Sequence, residues 1–169
     1  MRIGVVGTSL LENERRVPVV PEHLPRFPEP LRRRMVFERG YGREFGFDDS
    51  FFSGHGAELA PRVDLVRQCE LVVLPKPVRG DLEAMHAGQV LFGWTHCVQQ
   101  RAIAQAAIDR RLTLIAWEAM HHWSEGRERV LHVFHRNNEI AGYAAALHCL
   151  QLLGIDGHYG PRRTVVTRS

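Results

Sequence analysis

The stretches LVVLPK (71–76) and VLFGWTH (90–96) decide the fold that the sequence predicts. Each is a short apolar run that stops at polar, chemically active side chains. Runs of this length that are rich in aliphatic and β-branched residues are typical of buried strands. Similar runs occur at residues 2–6, Met35–Glu38 and residues 112–116. We therefore predict at least five short strands.

Helical segments are predicted between these strands, at residues 49–53 after the N-cap candidate Asp48, at residues 61–68 and at residues 99–110. Alternating strands and helices predict a three-layer α/β domain, Rossmann-like (flavodoxin-like), with a mostly parallel sheet. A polar, histidine-rich segment at residues 121–138 predicts a hairpin. The following EIAGYAAALHCLQLL (139–153) predicts a long helix, with Gly154 as its C-cap.

Composition places the chain among ordinary soluble globular domains. It has 169 residues, 44% hydrophobic and 24% charged, with a net charge of +3 that is too small to predict nucleic-acid binding. No apolar run approaches the roughly 20 residues that span a bilayer, and the charged N-terminus is unlike a signal peptide. Three widely spaced cysteines predict free thiols. We therefore expect a cytoplasmic protein that binds neither membranes nor nucleic acids.

Three polar residues follow predicted strands directly, and ligands of open α/β sheets bind at the carboxyl ends of strands. They are Lys76, His96 and Glu118. A lysine pairs with a carboxylate as a compact charge, and a histidine exchanges a proton near neutral pH. The three residues predict a site for a small anion, although ordinary loop residues would give the same pattern.

Arg15 and Arg16 precede a β-type segment predicted at residues 17–20. Neighbouring residues in an extended segment point to opposite faces, so one arginine is expected to face the crevice and the other solvent. A fork-shaped guanidinium suits a carboxylate.

Other patterns predict less. GYGREFG (40–46) imitates a dinucleotide-binding loop, but its glycine spacing differs and no helix begins at the required point. His121, His122, His132 and His135 lack the paired spacing of a zinc site, so no metal is predicted. Cys97 lies beside His96, but a nucleophile and its base normally meet through the fold rather than as sequence neighbours.

Several segments together resemble a known family. ENERRVPVVPEHL, LVVLPKPV, GQVLFGWTHCV, LIAWEAM and NNEIAGYAAAL resemble, in order and nearly in spacing, the N-terminal domain of the alanine dehydrogenase and pyridine nucleotide transhydrogenase family. The resemblance covers residues 1–153. Within the family, ERRVP, GWTH and AGYA look most like the opine-type N5-(carboxyethyl)ornithine synthases.

The resemblance implies roles for individual residues. Arg16 and Lys76 would hold the carboxylate of pyruvate or a similar 2-oxo acid, His96 would donate and accept the proton, and Glu118 would also contact the substrate. NADPH or NADH would bind mainly to a second domain, with Asn138 touching it from this chain. The implied reaction is the reductive condensation of a 2-oxo acid with the amine of ornithine or lysine, in a homo-oligomer.

The resemblance also implies a domain layout. Residues 1–136 would form the substrate domain, residues 137–154 a linking helix, and residues 155–169 the start of a nucleotide-binding domain, with TVVT (164–167) as its first strand. An edge strand of the same sheet is the other reading of TVVT. We expect the 169 residues alone to bind the 2-oxo acid weakly and to catalyse nothing. Alanine dehydrogenase, a saccharopine-type dehydrogenase domain and a non-catalytic binding or oligomerisation module remain alternatives.

Overall fold

The computed structural model describes residues 1–154, and the chain divides into two compact units, Met1–Ala119 and Met120–Ser169. The first unit contains a six-stranded parallel sheet. Its strands are β1 (Ile3–Val5), β2 (Met35–Glu38), β3 (Glu58–Ala60), β4 (Leu71–Val73), β5 (Val90–Gly93) and β6 (Thr113–Ala116). All five strands predicted from the sequence are present, whereas β3 is an addition that its polar first residue concealed.

Five α-helices connect these strands. They are α1 (Glu29–Arg32), α2 (Asp49–Gly54), α3 (Arg62–Gln68), α4 (Arg79–Glu83) and α5 (Arg101–Arg110), with 3-10 turns at Pro21–Arg26, Arg43–Phe45 and Trp117–Ala119. The predicted N-cap of α2 is confirmed, because the Asp48 side chain accepts a hydrogen bond from the Phe51 backbone N–H (3.2 Å).

The strand order is β3-β2-β1-β4-β5-β6. β1 is central, and Ile3 pairs with Met35 of β2 on one side and with Leu71 of β4 on the other. This is the doubly wound order in which the chain reverses direction beside β1, and a ligand crevice forms at the carboxyl ends there. The predicted Rossmann-like α/β fold is confirmed.

The sheet is buried between two apolar clusters. Val6 belongs to one cluster, with Leu65 of α3 and Ile103 of α5, whereas its neighbour Val5 belongs to the other, with Phe52 of α2. Because successive strand residues point to opposite faces, this split shows helices on both sides of the sheet. The result is the predicted three-layer arrangement.

One buried polar residue holds the amino end of β5. Gln89 is 1% exposed, and its side-chain N–H groups donate to the carbonyls of Val66 and Cys69 (2.6 Å each). Its side-chain oxygen accepts a hydrogen bond from the His86 N–H (2.7 Å). The amide is thus paired at both ends, as a buried polar group requires.

The β-type segment predicted at residues 17–20 does not form a strand. The Val19 N–H donates to the hydroxyl of Tyr41 (2.8 Å), and that hydroxyl donates to the Val19 carbonyl (2.7 Å). Pro18 has no N–H to offer a neighbouring strand. The backbone here is satisfied by a buried side chain instead of by a sheet, so this prediction is wrong.

The second unit contains the antiparallel hairpin β7 (His121–Trp123) and β8 (Arg129–His132), followed by α6 (His135–Leu152). The predicted hairpin and long helix are confirmed, although α6 begins four residues before the predicted start at residue 139. No helix among residues 1–154 is long and apolar enough to cross a membrane. The prediction for residues 155–169 lies outside the described residues.

Candidate functional site

Lys76, His96 and Glu118 follow β4, β5 and β6, three adjacent strands of the first unit. Since these strands are parallel, the three residues lie at one edge of the sheet, as predicted. All three are partly buried. This edge contains the reversal point beside β1, where the fold favours ligand binding.

The loops after β4 and β5 lie against one another. A Cβ atom on Gly93 would lie 1.9 Å from the carbonyl oxygen of Leu74, so only glycine fits there. The Trp94 N–H donates to the Pro75 carbonyl (2.8 Å). These contacts bring the loop that carries His96 beside the loop that carries Lys76.

His96 has an unusual backbone conformation, with φ at +46° in the left-handed region. Glu118 stabilises it, because its Oε1 accepts hydrogen bonds from the His96 N–H (2.6 Å) and from the Thr95 hydroxyl (3.4 Å). A non-glycine residue in this region is uncommon, and such residues cluster at functional sites. Glu118 therefore positions the His96 backbone, while its predicted contact with substrate stays a prediction.

Arg16 is held by Glu14, a residue that the sequence analysis missed. The Arg16 N–H and Nε donate to Glu14 Oε1 (2.9 and 2.7 Å), and Nη2 donates to Oε2. The Glu14 side chain is only 4% exposed, compared with 44% for Arg16. Hydrogen bonds from Arg16 hold the pKa of Glu14 below its ordinary value despite burial, and the charge of Lys76 lowers it further.

Glu14, Arg16 and Lys76 therefore form one charged group. Arg16 also lies over the indole ring of Trp94, with Cζ 5.0 Å from the ring centroid. Trp94 in turn contacts Trp117 edge-on (centroids 4.9 Å apart), and Trp117 contacts Phe92 in the same way (5.4 Å). An aromatic wall thus supports Arg16 on the side of the β5 loop.

The site offers two cations and an imidazole at one edge of the sheet. Within residues 1–154, neither the Lys76 ammonium nor the His96 ring has a hydrogen bond or ion pair, whereas Arg16 uses Nε and Nη2 for Glu14 and keeps Nη1. Two cations suit a small carboxylate, and an imidazole beside them is able to transfer a proton to a neighbouring oxygen or nitrogen.

Two predicted arginines and one asparagine have different surroundings. Arg15 does not join the charged group of Arg16 but lines a separate cavity on the other side of their common segment. Asn138 lies in the first turn of α6, exposed to solvent, and belongs to the second unit. Its predicted contact with the cofactor stays a prediction.

Loop 40–46 lacks the geometry of a phosphate-binding loop. The Gly40 N–H donates to Asp49 Oδ1 (2.8 Å), and α2 starts only at Asp49, three residues past the last glycine. Among residues 1–154 there is no cluster of three or more His, Cys, Asp or Glu side chains that would hold a metal ion. All three cysteines are free thiols.

Comparison with known proteins identifies relatives of this edge and fold. Residues 8–141 match the family described as alanine dehydrogenase/PNT, N-terminal domain. The chain is 27% identical to N(5)-(carboxyethyl)ornithine synthase of Clostridium botulinum over 152 residues (84% of this chain, 47% of that protein). It is 32% identical to alanine dehydrogenase of Bacillus subtilis over 147 residues (86% and 37%).

Solved structures agree. An L-alanine dehydrogenase matches with a TM-score of 0.62 and 26% identity, covering 76% of this chain and 35% of that one. A transhydrogenase from Sinorhizobium meliloti matches in fold, with a TM-score of 0.66 and 18% identity, covering 89% and 44%. The chain spans about half, or less, of the length of these relatives.

Proposed function

The chain belongs to the alanine dehydrogenase/pyridine nucleotide transhydrogenase family, as one of its N-terminal domains, and we propose that it binds the 2-oxo acid in an NAD(P)H-dependent, opine-type oxidoreductase. The observation that carries the proposal is the meeting of Arg16, Lys76 and His96 at one sheet edge, with Glu14 holding Arg16 in place. The similarity to N(5)-(carboxyethyl)ornithine synthase supports the choice of reaction.

In the proposed reaction, a primary amine of an amino acid such as ornithine or lysine attacks the carbonyl carbon of pyruvate. A C–N bond forms, water leaves and an imine results. The imine then gains a hydride at carbon and a proton at nitrogen, which gives a secondary amine and NAD(P)⁺. Each turnover thus consumes one 2-oxo acid, one amine, one NAD(P)H and one proton, and releases one water.

The residues of this chain have distinct tasks. Lys76 and Arg16 bind the carboxylate, and their charge withdraws electrons from the adjacent carbonyl or imine. His96 protonates the carbonyl oxygen as water leaves. Glu118 fixes the position of His96 through its backbone N–H.

A nicotinamide would supply the hydride as a co-substrate. The sheet unit itself does not fit a dinucleotide, because no helix begins after β1, and the next helical turn starts only at Pro21. A helix N-terminus at that point is what binds the pyrophosphate in dinucleotide-binding sheets of this order. The dinucleotide is therefore assigned to a separate domain, with Asn138 as the predicted contact from this chain.

A His96→Asn variant tests the proposal. With pyruvate, L-ornithine and NADPH or NADH, the intact protein should lose turnover by roughly a hundredfold or more, the usual range for a missing proton donor. Thermal stability should change little, because the His96 ring makes no hydrogen bond within residues 1–154. His23→Asn, in the exposed Pro21–Arg26 turn, is the control. Near-normal turnover of His96→Asn would refute the mechanism.

Alanine dehydrogenase is the second candidate, with ammonia in place of the larger amine. The 32% identity to the Bacillus subtilis enzyme favours it. The two candidates are separated by measuring NAD(P)H oxidation with pyruvate and either ammonia or ornithine. A domain that binds pyruvate but shows no turnover with any amine would instead be a binding module.

We also infer a homo-oligomer. α6 exposes Ile140 (68%), Tyr143 (73%) and Leu147 (65%), which share one helical face because they are spaced three and four residues apart. Sedimentation analysis of the wild type and of Leu147→Glu should show an assembly that the variant weakens. A monomeric wild type would refute it.

A further inference from the structure

A second cavity opens at the same edge of the sheet, beside the proposed 2-oxo acid site. It has a volume of about 200 Å³ and lies between the segments that follow β1 and β2. Its polar lining includes Arg15, Glu38, Arg39 and Glu44. Tyr41, which is buried, also lines the cavity and anchors the segment beside it through Val19.

The charges of this cavity have both signs, and most are uncommitted. Within residues 1–154, the guanidinium groups of Arg15 and Arg39 and the carboxylate of Glu44 make no hydrogen bond or ion pair. Glu38 differs, because its Oε2 accepts a hydrogen bond from the Gly7 N–H (2.9 Å) and lies 3.8 Å from Arg62. Glu38 is therefore part of the scaffold, and the other three charges are available to a ligand.

The cavity and the 2-oxo acid site share one segment of chain. Arg15 lines the cavity while Arg16 belongs to the Glu14 and Lys76 group, and consecutive Cα atoms are about 3.8 Å apart. Val17, the next residue, also lines the cavity. The adjacent arginines thus serve two neighbouring sites.

The separation of the two sites fits an amino acid with a long side chain. Two strand spacings, about 10 Å, separate the carboxyl ends of β1 and β5. An extended ornithine or lysine side chain spans roughly 5–6 Å from the α-carbon to the terminal nitrogen. Contact distances of about 3 Å at each end bring the total to the same length.

We propose that this cavity binds the α-carboxylate and α-ammonium groups of the amino-acid co-substrate, with Arg15 on the carboxylate and Glu44 on the ammonium. Arg15 presents a fork that matches a carboxylate, and Glu44 provides the opposite charge. The side-chain amine then extends to the carbonyl carbon held near Lys76 and His96. This inference rests on the proposed function and names the second substrate class as α,ω-diamino acids.

Two truncated substrates test the assignment of each end. 1,4-Diaminobutane is ornithine without its carboxylate, and 5-aminopentanoate is ornithine without its α-amino group. Both keep the terminal amine that reacts. With the intact protein, NADPH or NADH and saturating pyruvate, kcat/KM is measured for ornithine and both analogues in the wild type, Arg15→Gln and Glu44→Gln.

The expected results cross over. Arg15→Gln should lower kcat/KM roughly tenfold or more for ornithine and 5-aminopentanoate and leave 1,4-diaminobutane unchanged. Glu44→Gln should lower it for ornithine and 1,4-diaminobutane and leave 5-aminopentanoate unchanged. The KM of pyruvate should stay constant in both variants. Arg34→Gln, just before β2 at the opposite edge of the sheet, is the matched control and should behave as wild type.

The outcomes also separate this inference from the proposed function. If both variants reduce all three amines equally, or none of them, the cavity is not the amino-acid site while the proposed reaction stands. Turnover with ammonia alone would overturn the inference and favour alanine dehydrogenase. The absence of any pyruvate-dependent NAD(P)H oxidation by the wild type would overturn both proposals.

Discussion

Replacing Glu14 with glutamine should loosen Arg16 and weaken 2-oxo acid binding. The carboxylate accepts three hydrogen bonds from Arg16 and is 4% exposed, so the guanidinium is fixed before substrate arrives. A glutamine of the same shape keeps one acceptor but loses the charge and places N–H groups against those of Arg16. Hydrogen bonds to charged groups contribute about 1.5–3 kcal/mol. Because Arg16 is 44% exposed, we expect Glu14→Gln to lose about 1–2 kcal/mol of unfolding free energy.

The same loss should appear in ligand binding. A free guanidinium must be ordered by the substrate, so the affinity for pyruvate, measured by calorimetry, should fall roughly five- to tenfold. Glu29→Gln is the matched control, because Glu29 makes the same kind of pair with Arg33 but is 58% exposed. That variant should leave both stability and pyruvate affinity unchanged.

Acid pH provides a second test of the Glu14 pair. The pKa of Glu14 is lowered in the folded protein by its hydrogen bonds to Arg16, so its contribution to stability is present above the unfolded pKa of about 4.3. The contribution is lost as the pH falls through the lower, folded pKa. The stability difference between wild type and Glu14→Gln should therefore shrink below about pH 4. An unchanged or higher pyruvate affinity in Glu14→Gln at neutral pH would refute the reasoning.

Further outcomes follow from buried contacts. Gln89→Leu should lower the unfolding free energy by about 3 kcal/mol in urea titrations, because two buried backbone carbonyls lose their donor. Gly93→Ala should cost roughly 2–3 kcal/mol and also weaken pyruvate binding, because the added methyl would displace Leu74. With a thiol reagent at pH 8, the exposed Cys149 should react first, whereas Cys69 should react only on unfolding, since burial raises its pKa to about 11; equal rates would contradict this.

Short apolar runs predicted the sheet well, because parallel strands are buried on both faces and read as continuous aliphatic segments. β3 escaped notice because it lies at the edge of the sheet, and its first residue, Glu58, is exposed. The segment at residues 17–20 misled for the opposite reason, because its valines and proline read as a strand while its backbone bonds to Tyr41. Pairing partners of this kind are far apart in sequence and leave no local pattern.

The cations and the histidine of the candidate site were predictable, since each follows a strand or lies in the ERR motif. Glu14 was not singled out, although a signal existed. In an extended segment, residues two apart share a face, so the acid two positions before Arg16 was placed to contact it. The role of Glu118 in holding the His96 backbone depends on a left-handed turn that no local pattern predicts.

The strand order and the absence of a helix after β1 together account for the kind of anion that this sheet would bind. In a dinucleotide-binding sheet of the same order, backbone N–H groups at a helix N-terminus supply the positive end of a dipole to a diffuse pyrophosphate. Here the chain after β1 continues through the Glu14 and Arg16 turn, so the positive charge comes from side chains. Side-chain charges close to one another select a compact ligand. The same sheet edge is therefore suited to a carboxylate instead of a dinucleotide.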